Sequence, residues 1–364
     1  MKKSKVIRYG ILGSVLGGSM LISYLHINGG NSYPSVHAVC PLGGLENIWA
    51  WFAGQGNLQK LFSGTMTLFF FTLIFALVFG RAFCGNICPF GFLQELLGKI
   101  TKRKITVPKK LDKILRLGKY LLLVVISVMA WITATLWISP YDPWTAFAHI
   151  WSGAEVFAEN GVGLIILAIV VVASVFIDRF FCKYLCPAGG LYGIIAKISP
   201  TKLKRETCIN CEKCSKVCPM NIEIEKESTV KSAECIMCGK CAEVCPTKGS
   251  KVGFFIFGKR ISNLLFVLLT VVVFFGSIVV FDAVGLMQVT VPTVESVQAS
   301  GETIKIADLR GSMTIEEGAF YTGMKLPDFY KLMEIPQSVP AVTQLKYVAD
   351  YVEGYDFHAI KASK

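Results

Sequence analysis

Residues 208–219 read CINCEKCSKVCP, and residues 235–246 read CIMCGKCAEVCP. Both stretches follow the pattern C-x2-C-x2-C-x3-C-P, in which three closely spaced cysteines precede a fourth cysteine and a proline. Such a run folds around two [4Fe-4S] clusters, and the fourth cysteine of each run reaches the cluster of the other. The spacing therefore predicts two ligand sets, which are Cys208, Cys211, Cys214 and Cys245 for one cluster and Cys235, Cys238, Cys241 and Cys218 for the other.

Zinc is the alternative ion for this segment, since paired C-x2-C units separated by a gap also make tetrahedral sulfur sites. Zinc does not account for the C-x3-C-P ending, which occurs twice. We therefore expect iron–sulfur clusters and electron transfer, with zinc as the competing interpretation.

The composition is that of a membrane protein. Of the 364 residues, 53% are hydrophobic and 17% are charged, and the mean hydropathy is +0.54. A span needs roughly 20 apolar residues. Five apolar stretches reach or approach this length, the first of which could instead be a secretory signal, although no small-residue cleavage site follows it. The five predicted spans are 11–27, 61–80, 120–138, 161–177 and 261–281.

These features predict an α-helical integral membrane protein with about five transmembrane helices and an inserted α+β ferredoxin domain. The expected units are a four-helix membrane region, a ferredoxin domain, a fifth transmembrane helix and a small helical tail. Their boundaries are 1–200, 201–258, 259–283 and 284–364.

The distribution of basic residues predicts the orientation. Residues 99–119 contain nine lysines and arginines and one acid, whereas the loop 139–161 contains three acids and no base. Because basic loops stay in the cytoplasm, the N terminus and the ferredoxin domain are expected inside the inner membrane and the tail outside. The net charge of +12 is then mainly a topology signal, with anionic lipid or an acidic partner as its second use and no nucleic acid.

A repeat lies at the end of two predicted spans. Residues 81–93, RAFCGNICPFGFL, match residues 179–191, RFFCKYLCPAGGL, at seven positions with a constant offset of 98 residues. Both copies are expected at the cytoplasmic face, brought together by packing of the second and fourth spans. Four converging thiols there make a candidate site for a third iron–sulfur cluster or another thiophilic metal, with structural or redox-active cysteine pairs as the alternative. Its ligands would be Cys84, Cys88, Cys182 and Cys186.

Two F-C-x3-C-P-x-G motifs followed by the tandem cysteine run resemble the membrane polyferredoxin family. This family includes the quinol dehydrogenase membrane component of periplasmic nitrate reductase, the nitrous oxide reductase regulator and the cytochrome oxidase maturation ferredoxin. The resemblance covers roughly residues 60–260. It implies electron passage between the quinone pool or a cytoplasmic partner and another redox protein.

The chain departs from some relatives, because it has no C-x-x-C-H haem motif and it adds a fifth span and an outer tail. We expect an electron-transfer subunit of a membrane oxidoreductase, passing electrons between a cytoplasmic partner and quinone or an outer redox partner. The alternatives are a redox-dependent assembly or regulatory factor for a metalloenzyme, and a redox sensor that reports through the tail.

The outer side carries two further candidates. Histidines near the outer helix ends could border a quinone pocket and accept protons, although aromatic and histidine side chains are also common at membrane interfaces. The tail holds ten acids and seven bases from residue 285 onward, with a capped helix start at Thr314, and is expected to dock a membrane redox subunit or outer protein. The candidate quinone residues are His37, Tyr141, Asp142 and His149.

Overall fold

A computed structural model of the chain is mostly helical and contains one small antiparallel sheet. The ranges that it describes are residues 3–29, 33–52, 58, 61–105, 107–153, 155–206, 208–246, 252–290, 303, 306, 309, 311, 313–357 and 360. Parts of the predicted ferredoxin domain and tail, such as 247–251, 291–302 and 361–364, lie outside these ranges.

The elements follow the chain in four groups, the first two of which contain helices alone. The first group is α1 (Lys3–Gly29), α2 (Pro41–Phe52), α3 (Ser63–Phe79), α4 (Ala82–Asn86) and α5 (Pro89–Leu97). The second group is α6 (Lys109–Leu115), α7 (Gly118–Thr133), 3-10 turns at Ser139–Tyr141 and His149–Ser152, α8 (Pro143–Ala148), α9 (Glu155–Phe176), α10 (Phe180–Tyr184) and α11 (Pro187–Ala196).

The third group contains the sheet, and the fourth leads into the tail. The third group is β1 (Lys202–Lys204), α12 (Lys213–Lys216), a 3-10 turn at Ile224–Lys226, β2 (Thr229–Val230), α13 (Lys240–Val244), β3 (Gly253–Ile256) and β4 (Lys259–Ile261). The fourth group is α14 (Asn263–Ala283), α15 (Ile315–Tyr321), α16 (Leu326–Leu332) and a 3-10 turn at Leu345–Asp350.

Three helical stretches among the described residues are long and apolar enough to cross a bilayer, namely Lys3–Asn28, Lys109–Thr133 and Asn263–Ala283. Two of the predicted spans are shorter. Helix α3 has 17 residues, and the backbone of α9 is non-helical at Asn160, which leaves Asn160–Phe176 as its regular part. The membrane character of the chain therefore stands, while the number of five spans stays a prediction.

The sheet joins the cysteine insert to the last long helix. Its strand order is β2-β1-β3-β4, and all neighbouring strands are antiparallel. The ring of Phe254 in β3 stacks on Phe266 in α14 with centroids 4.0 Å apart, and both side chains are fully buried. Ser262 caps α14 by accepting a hydrogen bond from the Leu265 amide. The insert is thus packed directly onto the end of a candidate span.

The two copies of the repeat pack reciprocally. Helix α5, which follows the first motif, packs against α9, which precedes the second motif. Helix α11, which follows the second motif, packs against α3, which precedes the first. Direct packing of the second and fourth spans was expected to join the copies. Instead, each short helix after a motif crosses to the other copy.

The tail begins as the sequence predicts. The Thr314 hydroxyl accepts a hydrogen bond from the Glu317 amide at 3.1 Å, and the Glu317 carboxylate accepts one from the Thr314 amide at 2.9 Å. This capping box starts α15, and α16 follows with Pro327 in its first turn. The last regular element of the tail is the 3-10 turn at Leu345–Asp350. Phe62, just before α3, packs against the core of the tail.

Candidate functional site: cysteine cavities and a buried charge network

The eight cysteines of the insert line two separate cavities. The cysteines around the first cavity are Cys218, Cys235, Cys238 and Cys241. Those around the second are Cys208, Cys211, Cys214 and Cys245. Each cavity takes three cysteines from one copy of the run and the fourth from the other copy. The structure therefore brings together the same two sets that the spacing predicts.

A shared backbone conformation shapes both cysteine loops. Asn210 and Met237, each two residues after the first cysteine of its run, have φ values of 52° and 53°. Glu212 and Gly239, two residues further on, have φ values of 56° and 72°. Left-handed residues at matching positions turn the chain sharply, so that closely spaced cysteines can border one cavity. A side chain at Gly239 would also collide with Asn263.

The donor chemistry of the two cavities fits iron–sulfur clusters. Four thiols surround each cavity, and thiolates are the ligands that hold a [4Fe-4S] core. Among the residues that the structure describes, no three His, Cys, Asp or Glu side chains are grouped to hold a single metal ion.

The four cysteines of the repeat, here called the membrane-edge cysteines, lie at the starts of short helices. Cys88 and Cys186 are the N-caps of α5 and α11, and each sulfur accepts a hydrogen bond from the amide three residues later, at 3.4 and 3.3 Å. Pro89 and Pro187 occupy the first helical position, where the missing N–H costs nothing. Cys84 lies in α4, Cys182 lies in α10, and both are buried.

The membrane-edge thiols lie close enough together to shift one another's pKa. Burial, followed by the neighbouring Cys182 and Cys84, raises the pKa of Cys88 to about 12. Burial also raises the pKa of Cys186 well above its ordinary value, again with Cys182 and Cys84 as the next causes. Thiols in such a place stay protonated unless a metal or another positive charge takes over the proton's role.

Arg179, from the second motif, reaches across to the first. Its guanidinium donates to the Cys84 carbonyl at 2.7 Å and to the Glu95 carboxylate at 2.8 Å. A Cβ atom on Gly91 would lie 2.7 Å from this guanidinium. Glycine therefore leaves the space that the arginine of the opposite copy fills.

Arg81, from the first motif, makes the matching contact with the second. A Cβ atom on Gly189 would lie 2.8 Å from its guanidinium. The guanidinium donates to the Ala233 carbonyl at 3.0 Å and to the Glu234 carboxylate at 3.3 Å. Burial alone would lower the pKa of Arg81, but Cys84 and Glu234 raise it above its ordinary value. Each of the two arginines therefore lies against the copy of the repeat to which it does not belong.

Two buried carboxylates each gather several cations. Glu95 lies within 3.0 Å of Arg8, Arg179 and Lys240. Burial would raise the pKa of Glu95, but Arg179 and Arg8 lower it below its ordinary range. Glu234 pairs with Arg81 and with the fully buried Lys119. Positive charge therefore exceeds negative charge in this buried region.

The first repeat motif also docks on the insert. A Cβ atom on Gly85 would collide with the backbone of Ile236 and Cys238, so the two chain segments touch. The Asn86 amide donates to the Met237 carbonyl at 3.4 Å. The membrane-edge cysteines thus adjoin the cavity that Cys238 borders.

Several of these residues were not singled out from sequence. Arg81 and Arg179 are recognisable in the sequence as matching positions of the repeat, but the contact of each arginine with the other copy is not. Glu95 and Glu234 lie in no repeated pattern. Gln94, whose amide lies 3.4 Å from the Cys182 sulfur and whose oxygen accepts from the Phe181 amide, had no signal either.

The predicted quinone residues lie together only in part. The rings of His37 and His149 are 5.8 Å apart, and the Ser139 hydroxyl lies 3.4 Å from His37. Asp142 caps α8 by accepting from the Trp144 and Thr145 amides, and burial raises its pKa. Tyr141 instead packs against Trp137, with centroids 5.1 Å apart.

A buried carboxylate near this group was missed. Glu46 is 1% exposed, and its carboxylate accepts a hydrogen bond from the Ile138 amide at 3.1 Å. Burial, with Asp142 as a smaller cause, raises the pKa of Glu46 to about 8. No sequence pattern marks this residue, because it stands alone in the apolar helix α2.

Two domain families match the chain at these cysteines. Residues 64–108 and 159–206 match the family described as 4Fe-4S binding domain, and residues 200–246 match the 4Fe-4S dicluster domain. The first family covers both membrane-edge motifs, and the second covers the tandem run. No solved structure matches the chain.

Among curated proteins, YccM of Escherichia coli is 33% identical over 51% of this chain and 54% of its own length. The uncharacterized protein MJ0750 of Methanocaldococcus jannaschii is 30% identical over 48% of this chain and 71% of its own. The ferredoxin-type protein NapH of Escherichia coli is 26% identical over 59% of this chain and 73% of its own. The chain spans about half the length of YccM.

The cavities and the domain matches together define a ferredoxin-type protein with 4Fe-4S binding domains. The chain belongs to the polyferredoxin family, and the resemblance inferred from its motifs is confirmed.

Proposed function

We propose that this chain is a membrane-bound iron–sulfur electron-transfer protein. The observation that carries the proposal is the pair of cavities, each bordered by four cysteines drawn from both copies of the run. Relatives named ferredoxin-type proteins, such as NapH and MauN, support it. The three long apolar helices support the membrane location.

Two [4Fe-4S] clusters fit the two cavities. The ligands of one would be Cys208, Cys211, Cys214 and Cys245, and those of the other Cys218, Cys235, Cys238 and Cys241. When bound, such clusters take up and release single electrons. The residues of the chain hold the sulfurs in position and surround the first cavity with apolar side chains such as Leu203 and Phe254. Apolar surroundings and hydrogen bonds to sulfur tune the potentials.

We propose a further iron–sulfur group at the membrane-edge cysteines. The family match there is to a 4Fe-4S binding domain, and the thiols are buried and close enough to shift one another's pKa. Contact between Gly85 and the Cys238 loop makes this site a neighbour of the first cavity. The site could thus extend an electron path from the insert toward the membrane.

The metal content of purified protein tests this proposal. Anaerobically prepared chain should contain about twelve irons and as many acid-labile sulfides, and Cys84→Ser with Cys182→Ser should lower this to about eight. Cys40→Ser is the matched control, because Cys40 lies in neither motif, and it should leave the content unchanged. Zinc in place of iron would overturn the electron-transfer function, whereas eight irons in the unaltered chain would remove only the third group.

For the membrane arrangement, we propose five spans with the insert and the N terminus in the cytoplasm. Helix α3 and Asn160–Phe176 are short, but each is apolar, and shorter spans can be accommodated by local thinning of the bilayer. The excess of basic residues in 99–119 supports the orientation. The inner membrane is then the location of the chain.

Quinone and an outer redox protein are the proposed exchange partners at the far side. The hydrocarbon layer is roughly 30 Å thick, so groups at one face do not span it alone. The proximity of His37 and His149, with the buried Glu46 nearby, supports proton uptake or release at the outer helix ends. Reduction of a soluble quinone analogue by reduced protein would test this, and a His37→Phe variant should slow it severalfold.

A further inference from the structure

The buried region around the membrane-edge cysteines carries more positive than negative charge. Arg8, Arg81, Lys119 and Arg179 are each at most 2% exposed, and the carboxylates that pair with them are Glu95 and Glu234. Lys183 of the second motif is 1% exposed as well, and Lys240 also pairs with Glu95, so the cations outnumber these two carboxylates. Because an uncompensated charge in a low-dielectric interior is unfavourable, an anion is expected nearby.

The hydrogen bonds of the two arginines point to the place of that anion. Within the described residues, Nε and one terminal nitrogen of Arg81 have no hydrogen-bond partner, and neither has Nε of Arg179. Buried donors are nearly always paired in folded proteins, so such orphaned groups call for an explanation. The same guanidinium groups lie beside the membrane-edge motifs, close to Cys84 and Gly189 for Arg81 and to Cys84 and Gly91 for Arg179.

A cluster on four thiolates would supply charge of the required sign, because it carries a net negative charge. Its sulfurs would also accept hydrogen bonds, and N–H donors aimed at a cluster raise its reduction potential.

We propose that Arg81 and Arg179 are positioning residues that balance the charge of the iron–sulfur group at the membrane-edge cysteines and raise its reduction potential. The inference rests on the third group of the proposed function and deepens it. Each arginine comes from one copy of the repeat and fits the space left by the glycine of the other. The repeat would thus bring both ligands and counter-charges to one site, in two matching halves.

The test compares glutamine and lysine variants of each arginine in the full-length protein. Iron and sulfide per chain and a redox titration monitored by electron paramagnetic resonance are the measurements, with the third group identified as the signal that Cys182→Ser removes. In Arg81→Gln and in Arg179→Gln we expect that signal to titrate at a lower potential. In the double variant we expect the signal to disappear and the iron content to fall by about four, to about eight per chain. Arg81→Lys and Arg179→Lys, which keep the charge, should keep about twelve irons, with a smaller shift.

Arg260→Gln is the control. Arg260 is an arginine with a carboxylate partner, Glu206 at 2.7 Å, but it lies partly exposed in the edge strand of the sheet and outside the buried charge network. We expect Arg260→Gln to leave the third signal unchanged. An equal shift in Arg260→Gln, or an unchanged potential in both glutamine variants, would overturn the inference.

The irons of the insert report on folding. A glutamine variant that loses all iron, including that of the insert, has failed to fold, and the lysine variant at the same position then provides the test. A shifted potential of its third signal supports the inference, and an unshifted potential contradicts it. An unaltered chain with about eight irons would overturn the third group and this inference together, while leaving the electron-transfer function of the insert in place.

Discussion

At the scale of single residues, the most informative feature is that the arginine of each copy of the repeat fills the space beside the glycine of the other copy. Gly91 makes room for Arg179, and Gly189 makes room for Arg81. A motif that looks like a local cysteine pattern is therefore half of a composite site. Its arginines are matching positions when the two copies are aligned, and in the fold each of them lies against the glycine of the other copy.

Glu46 is a residue whose charge should govern pH-dependent stability. Its folded-state pKa of about 8 is raised from 4.5 by burial, with Asp142 as a second raising cause, and Cys40 is its other titratable neighbour. Between these pKa values the unfolded chain loses a proton that the folded chain keeps. Stability contributed by this group is therefore fully present below about pH 4.5 and is lost as pH rises to about 8, on the order of 5 kcal/mol in all.

Thermal unfolding in detergent between pH 5 and pH 9 measures this effect. Glu46→Gln should lose stability less steeply over that range than the unaltered chain, because glutamine cannot ionise. Glu353→Gln, at an exposed position of the tail, serves as the control and should follow the unaltered chain. Parallel curves for all three proteins would rule out Glu46 as the group responsible.

At the scale of elements, local signals in the sequence predicted helix starts well. Pro89 and Pro187 begin α5 and α11, and Thr314 caps α15, because first-turn amides must find an acceptor close in sequence. Helix ends and packing partners were harder. The reciprocal packing of α5 on α9 and of α11 on α3 depends on contacts between residues about 80 to 120 positions apart, such as Tyr192 with Thr72.

The capping box of α15 gives a prediction at this scale. Thr314→Ala removes the hydroxyl that accepts from the Glu317 amide and should destabilise the start of the helix by about 1 kcal/mol. Hydrogen exchange of the amides in Ile315–Tyr321 should then become about fivefold faster. Ser338→Ala, at an exposed position of the tail, should change nothing. Unaltered exchange in Thr314→Ala would show that the tail core, and not the cap, holds this helix.

At the scale of the whole molecule, the insert and the candidate spans form one packed unit. Phe254 of the sheet stacks on Phe266 of α14, and Ser4 of α1 donates to Glu243 of α13 at 2.8 Å. The cysteine cavities are therefore held close to the ends of the apolar helices. Such packing suits a path from the insert toward the membrane better than a ferredoxin on a flexible linker would.

The proposed orientation predicts which parts a protease can reach. In spheroplasts, added protease should cut the tail after residue 284 and leave the insert intact, because the tail faces the outside and the insert faces the cytoplasm. In inverted vesicles, the insert and the basic segment 99–119 should become the accessible parts. Cleavage of the insert in intact spheroplasts would reverse the topology. Detergent-solubilised protein, open on both sides, is the control for intrinsic susceptibility.

The amino-acid sequence alone predicted which cysteines of the insert border each cavity, and it indicated the membrane character and the family. Cysteine spacing, long apolar stretches and proline or threonine at helix starts act over a few residues, so they are legible in a linear pattern. The predicted sets each take three cysteines from one run and the fourth from the other run. This assignment also follows from the spacing, because both runs have the same pattern.

Only the tertiary structure decided which charges surround the membrane-edge cysteines. Glu95, Glu234, Arg81 and Arg179 come from segments up to about 150 residues apart, and electrostatic energy depends on distance in space and on exclusion of water. Nothing in a local pattern tells a solvated arginine from a buried one whose N–H groups await a partner. That difference appears only once the chain is folded and the two copies of the repeat have closed on each other.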